Sequence, residues 1–234
     1  MNLFTRPPKH RLIAPSILSA DFGNMGAECR NVLEAGADLL HLDVMDGHFV
    51  PNLTMGPDMC RGVRHACPDA FLDVHLMVTD PASFIEPFAQ AGANHLTFHV
   101  EVAPTRGAIH ELSARIRARG MSAGIAINPP TDLERLTSAL DPDDVDLILV
   151  MSVNPGYSGQ AFIEDTLAKT RALRAKLGPR PRIEMDGGLK PENAQKVGQA
   201  GCDVLVAASA IFGLPPDPRS RRANAINLLR GSTH

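Results

Sequence analysis

Three short phrases gather the residues of this chain that can do chemistry. They are His41-Leu42-Asp43, Asp73-Val74-His75 and Met185-Asp186-Gly187-Gly188, each at the end of an apolar run. Residues two apart on an extended chain share a face, so His41 and Asp43 point the same way. If the runs are strands of one barrel, His41, Asp43, His75 and Asp186 converge on its mouth. Two imidazoles and two carboxylates suit Zn²⁺, Fe²⁺, Mn²⁺ or Co²⁺. Any one of the four alone reads as a satisfied core histidine or a helix-capping aspartate. Four at three strand ends read as a metal centre, because buried unpaired carboxylates are costly without a cation. His10, His65, His110 and His234 lack this phasing and read as surface residues. His99 and Glu101, placed after strand four, either support the centre or line a polar rim.

Other residues fall in the same phase. Met45 lies two beyond Asp43, Met77 two beyond His75, and Met151 ends strand six. They fill core space or form a wall that keeps water from the reacting atoms. Gly156-Tyr157-Ser158-Gly159, Gly187-Gly188 and Ala208-Ser209 follow strands six, seven and eight. Glycine lets backbone N–H groups approach an anion closely, and the loops after strands seven and eight are the usual phosphate locus of such barrels. The segment from Ser209 to Phe212 would begin a turn of helix there. Three such loops together predict a phosphorylated ligand. The lysines stand at 9, 169, 176, 190 and 196. None falls in a barrel strand, which argues against a Schiff-base aldolase or a decarboxylase built on a strand-end lysine.

The elements that must position these residues are legible as a repeat. Ala35-Gly36-Ala37-Asp38, Ala91-Gly92-Ala93-Asn94 and Ala200-Gly201-Cys202-Asp203 each precede an apolar run. The first two are 56 residues apart and the last two 109, which is two and four units of about 27–28. Such a strand–helix unit fits about eight times into 234 residues, predicting a (β/α)8 TIM barrel. Strands are expected near 12–17, 39–44, 71–76, 95–100, 122–127, 146–151, 182–186 and 203–208. Amphipathic segments such as Thr166 to Leu173 lie between them. A doubly wound open sheet is the competing fold, but it does not require eight units, and no GxGxxG follows the first strand. The chain reads as a single domain over 1–234, with its core at about 12–213 and a short helix after Pro218.

Composition narrows the function. Hydrophobic residues make up 44% and charged residues 21%, with a formal net charge of −3, so no basic surface announces nucleic acid or an anionic membrane. There is no Trp, and Tyr157 is the one Tyr, which argues against a base-stacking platform. No run suits a signal peptide or a membrane span. Cys29, Cys60, Cys67 and Cys202 show no CxxC pairing and read as reduced thiols. The expectation is a soluble cytoplasmic protein.

The chain resembles the ribulose-phosphate 3-epimerase family (pentulose-5-phosphate 3-epimerases). The phrases that carry the resemblance are Ile13 to Phe22 (IAPSILSADF), His41 to Thr54 (HLDVMDGHFVPNLT), Asp73 to Val78 (DVHLMV), Met151 to Gly156 (MSVNPG) and Met185 to Gly188 (MDGG). The resemblance implies a ribulose-phosphate binding barrel that interconverts D-ribulose 5-phosphate and D-xylulose 5-phosphate in the pentose phosphate pathway. It implies one divalent metal ion on His41, Asp43, His75 and Asp186, with Asp43 and Asp186 the acid/base pair. Ser16, His75 and Asp186 would touch the substrate, and Gly156 to Gly159, Gly187, Gly188, Ala208 and Ser209 would line its phosphate end. Inversion at C3 passes through an enediolate, with a proton removed on one face and returned on the other. Family members form dimers or higher oligomers, so a homo-oligomer is implied.

Two departures fall in the phosphate cradle. Ala208 stands where the family usually has Gly, and Tyr157-Ser158 replaces a more usual Phe-Gly. The rival readings are an epimerase of another ketose phosphate such as D-allulose 6-phosphate, a lyase or decarboxylase on the same barrel, and a non-catalytic sugar-phosphate binder. A strand-end lysine would mark the lyase, and a binder would not need two acids flanking a metal.

Overall fold

The computed structural model describes residues 2–6, 10–216 and 221–231. Eight parallel strands form one sheet: β1 (Leu12–Pro15), β2 (Leu40–Met45), β3 (Leu72–Met77), β4 (His95–His99), β5 (Ser122–Ile127), β6 (Leu147–Met151), β7 (Arg182–Asp186) and β8 (Val204–Ala207). Their order runs β1-β8-β7-β6-β5-β4-β3-β2, and a parallel bridge from Ser16 to His41 brings the two ends together. Expected and observed strand limits differ by a residue or two, as strand ends commonly do. The helices are α1 (Met25–Glu34), α2 (Pro57–Ala66), α3 (Ile85–Ala91), α4 (Arg106–Ala118), α5 (Leu133–Ala139), α6 (Thr166–Leu177), α7 (Pro191–Gln199), α8 (Ser209–Phe212) and α9 (Arg221–Arg230). Lys9, Asp217, Pro218 and His234 lie outside the described residues. Among those described, no lysine falls in a strand, and no helix is long and apolar enough to cross a membrane.

The repeated phrase is the visible part of a larger repeat. At Gly36, Gly92 and Gly201 φ is 101°, 90° and 102°, the left-handed turn that ends a helix and that only glycine takes freely. The carbonyl of each glycine accepts from an arginine: Arg230, Arg64 and Arg174 respectively. The same three guanidiniums reach the polar residue two places on, at Asp38, Asn94 and Asp203. Each of those side chains also accepts a backbone N–H from the start of a neighbouring strand, at Ile13, Leu72 and Ile183 (2.8, 2.8 and 2.9 Å). The polar residue is thus a register pin, holding adjacent strands level at the bottom of the barrel.

Two apolar layers follow from the pleat. Outward side chains such as Ile13, Leu42, Val74, Leu96 and Ile183 pack beneath the helices, while Leu12, Ala14, Leu147, Leu149, Val204 and Val206 fill the barrel interior. Phe4 plugs the bottom, edge-on to Phe71 and His95 with ring centroids 4.9 and 4.6 Å apart. The N-terminal segment therefore contributes to the core. The four cysteines are buried and unbridged.

The barrel interior is not uniformly apolar. Register sets His41 beside Asp73, Asp43 beside His75 and Met45 beside Met77, all with side chains buried. Asp73, His95, Thr97, Ser122 and Glu184 form a polar layer under the mouth, each no more than 2% exposed. Gly124 makes room for it: a Cβ there would meet Thr97 Oγ1 at 2.4 Å and His95 Nε2 at 2.5 Å.

Candidate active site

The strands carry the chemistry further inside than the sequence reading placed it. Strands two and three do not end at Asp43 and His75 but pair on to Met45 and Met77, because the backbone ladder continues past the charged residues. The expected donors lie one layer below the rim, and the two methionines form the rim itself. His41, Asp43, His75 and Asp186 each offer a ligand atom, all within 4.8 Å of one another. Ser16 donates to Asp43 Oδ2, and His75 Nδ1 lies 3.1 Å from Asp43 Oδ1. Asp186 ends β7, where the Ser152 hydroxyl donates to the carbonyls of Asp186 and Gly187 at 2.9 and 2.7 Å.

His41 shows what the cluster lacks. Its Nδ1 lies 2.7 Å from Asp73 Oδ2 and donates to it, while its Nε2 is buried, without a hydrogen-bond partner and 3.3 Å from Asp43 Oδ1. An orphaned imidazole nitrogen among carboxylate oxygens fits a cation site. His41, Asp73 and Glu184 form a second close group. That group is a hydrogen-bonded support rather than a rival centre, since a 2.7 Å N···O contact leaves no space for an ion.

The charges are strongly coupled. Burial opposes ionisation of Asp43, but the adjacent His41 holds its carboxyl well below the ordinary range. Burial would also lower His41, yet Asp43 and Asp73 on its two sides hold it well above its usual value. Burial pushes His75 down to about 4. Asp186 is pushed up to about 8 by burial and then by the charge of Asp43. In metal-free protein a carboxyl raised in this way favours the folded state at low pH, and that stabilisation is lost as pH rises from the unfolded value near 3.8 through about 8. The Tm of metal-free protein is therefore expected to fall from pH 7 to pH 8, above the range of His75, and Asp186→Asn to make the slope shallower. A melt series in both proteins checks this, and an unchanged slope in the variant would remove Asp186 as the cause.

Above the cluster opens a cavity of about 670 Å³, including its mouth. Ser16, Asp43, Asp186, Met45, Met77 and Met151 line its inner end, and Gly156, Tyr157, Ser158, Gly159, Gly187, Gly188, Ala208 and Ser209 its outer end. His41 and His75 lie behind that wall, fully buried. Gly187 and Gly188 have φ of 123° and 64°, and a Cβ on either would come within 2.7 Å of backbone nitrogen, of Val153 or Phe162. The β6 loop is tied across the mouth to the β2 loop: Asn52 Nδ2 donates to Gly156 O at 2.7 Å and the Tyr157 hydroxyl to Pro51 O at 2.8 Å. Asp46 ties the β2 loop to the β3 loop in turn, accepting from His48, Phe49 and Thr79. His10, His65 and His110 are exposed.

The sequence reading missed three things here. Asp73, which falls in one of the three phrases but was given no role, and Glu184 lie two residues before His75 and Asp186, so stepping the same period backwards would have found both. His99 belongs to β4 rather than following it, and is fully buried. Lys190, the N-cap of α7, lines the outer cavity, so a lysine does stand beside the loops expected to hold an anion by backbone alone.

Comparison with known proteins bears on what this cavity serves. Residues 12–212 match the model of the Ribulose-phosphate 3 epimerase family. A ribulose-phosphate 3-epimerase from Rhodobacter capsulatus is 50% identical over 201 residues, covering 86% of this chain and 85% of the relative. One from Synechocystis is 48% identical over 210 residues, covering 88% and 90%. Among solved structures, the 3-hexulose-6-phosphate synthase from Salmonella typhimurium superposes with a TM-score of 0.70 at 14% identity, over 94% of this chain and 97% of that one. At that identity the likeness concerns the barrel alone.

Proposed function

The chain belongs to the ribulose-phosphate 3-epimerase family, and from that premise we propose that it interconverts D-ribulose 5-phosphate and D-xylulose 5-phosphate by two-base proton transfer at C3. The observation that carries this reading is the convergence of His41, Asp43, His75 and Asp186 within 4.8 Å at the inner end of a cavity whose outer end is glycine-rich. His41, Asp43, His75 and Asp186 would hold one divalent ion, of Zn²⁺, Fe²⁺, Mn²⁺ or Co²⁺, as two nitrogen and two oxygen donors suit. When bound, such an ion supplies positive charge for the enediolate that loss of the C3 proton leaves.

The residues do the rest. Asp43 stands on β2 and Asp186 on β7, three steps apart around the ring through β1 and β8. Two carboxyls so placed approach a carbon between them from different sides, one removing its proton and the other returning one to the opposite face. Ser16 donates to Asp43 and so fixes which oxygen is free to take a proton. Met45, Met77 and Met151, each no more than 3% exposed, keep bulk water off the planar intermediate. The phosphate end of the substrate lies toward Gly156–Gly159, Gly187, Gly188 and Ser209, with Lys190 at the rim.

The direct test follows ketopentose-phosphate interconversion with metal-reconstituted protein in deuterium oxide. We expect label at C3 of the product, and faster turnover of ribulose 5-phosphate than of allulose 6-phosphate. Reaction without C3 label, or cleavage of the carbon chain, would replace this reading with the lyase one.

Ala208 bears on the phosphate end. Its φ is −102°, outside the left-handed region that favours glycine, so alanine stands there without needing a positive φ. Ala208→Gly is therefore expected to leave kcat and KM within about twofold while costing about 0.5–1 kcal/mol of stability through the looser unfolded chain. Steady-state kinetics and a melt check both. A large fall in kcat would mean that residue 208 shapes the reacting centre.

A further inference from the structure

Behind His75 runs a chain of side chains that the proposed chemistry does not use. His75 Nε2 lies 2.8 Å from His99 Nε2, and His99 Nδ1 lies 3.0 Å from Glu101 Oε2. The two rings are near-parallel, with centroids 5.0 Å apart, and Phe49 packs against His99 at 4.7 Å. The other oxygen of Glu101 accepts the Asn128 backbone N–H at 3.0 Å and the Thr131 hydroxyl. The chain thus reaches from the β5–α5 loop, outside the barrel mouth, to the Nδ1 that faces Asp43.

Its directions can be assigned by counting protons. Glu101 is a carboxylate: burial would raise it, but hydrogen bonds from His99, Thr131 and Asn128 bring it down to about 2. It can only accept, so His99 must present Nδ1–H to it. With His99 neutral, its Nε2 is then a lone pair, and the 2.8 Å contact has His75 donating from Nε2. A neutral His75 with its proton on Nε2 has a lone pair on Nδ1, directed at the cluster. Asp43 Oδ1, 3.1 Å away, cannot donate while ionised, so that lone pair has no partner in the protein. A cation would complete the chain.

On the reading that the cluster holds a divalent ion, we infer that Glu101 is a positioning residue for it: acting through His99, it sets the tautomer that aims His75 Nδ1 at the ion. His41 is held the same way in one step, by Asp73. Glu101 differs in being reachable, with its side chain 17% exposed, so it can be altered without opening the core.

Glutamine cannot replace it. The two oxygens of Glu101 face two fixed donors, His99 Nδ1–H and the Asn128 N–H. A glutamine must turn its NH₂ toward one of them. Facing Asn128, it sets donor against donor. Facing His99, it reverses both rings and puts a proton on His75 Nδ1, where the ion should bind.

Co²⁺ titration of metal-free protein, read by d–d absorption and by calorimetry, tests this. Glu101→Gln is expected to weaken Co²⁺ binding about tenfold. Thr131→Val removes one hydrogen bond to the same carboxylate but leaves both rings oriented, and is expected to stay within about twofold of the unaltered protein. Equal affinity in Glu101→Gln and the unaltered protein would overturn the inference, as would an equal loss in Thr131→Val, which would mark a general loop effect. If the unaltered protein takes up no Co²⁺, the metal-centre reading itself fails and this inference falls with it.

Discussion

Asp43→Asn and Asp186→Asn will each lower turnover by about 10²–10⁴-fold, the range usual for loss of a positioned acid or base. Each substitution also removes a negative charge from the proposed ion site, so the measurement belongs on protein with metal content verified. Exchange in deuterium oxide separates the two roles. With bases on opposite faces, each variant retains one aspartate and can still deprotonate the epimer whose C3–H faces it. One variant is expected to exchange label into ribulose 5-phosphate alone, and the other into xylulose 5-phosphate alone. Near-native turnover in either metal-loaded variant would end the two-base assignment. Exchange into both epimers in one variant and into neither in the other would point to a single base instead.

The convergence of these residues began as a matter of phase in the sequence, whereas their pairing as acid and base came from the family resemblance. A two-residue period fixed which side chains of β2, β3 and β7 face inward, and a repeat of about 27–28 residues fixed how many strands close the ring. Both are local or periodic properties, so they survive without coordinates. The polar layer beneath the site was equally periodic but was given no role, since Asp73 and Glu184 lie one layer down in β3 and β7, where a barrel floor is expected to be apolar. Their pairing is non-local. Asp73 becomes a support only because register sets it beside His41 on another strand.

The chain from His75 to Glu101 was less legible still. Nothing in the spacing of His75 and His99 says that their rings meet, because the contact depends on the stagger between β3 and β4. Lys190 illustrates the same limit at the rim. In the sequence it is only a lysine outside the strands, whereas the turn into α7 carries it to the cavity wall.

Chelation is expected to reduce turnover at least a thousandfold, and Zn²⁺, Mn²⁺, Fe²⁺ or Co²⁺ to restore it. The reason lies in the charges already present. Removing the C3 proton leaves an anion beside Asp43 and Asp186, and in metal-free protein the nearest positive charge is His41, which both Asp43 and Asp73 already claim. A second anion in that enclosure has no counter-charge, and bulk water is excluded by the buried Met45, Met77 and Met151. Mg²⁺ is expected to rescue poorly, because it prefers oxygen donors and retains its water, whereas two of the four donors here are imidazoles. Tm should respond in the same order as turnover, since an ion bound only by the folded chain stabilises it in proportion to the logarithm of its concentration over Kd. Activity, Tm and metal content measured on the same chelated and reconstituted samples make the comparison. Full turnover in protein shown to be metal-free would mean that His41 alone balances the enediolate, and that His41, Asp43, His75 and Asp186 converge for hydrogen bonding rather than for a cation.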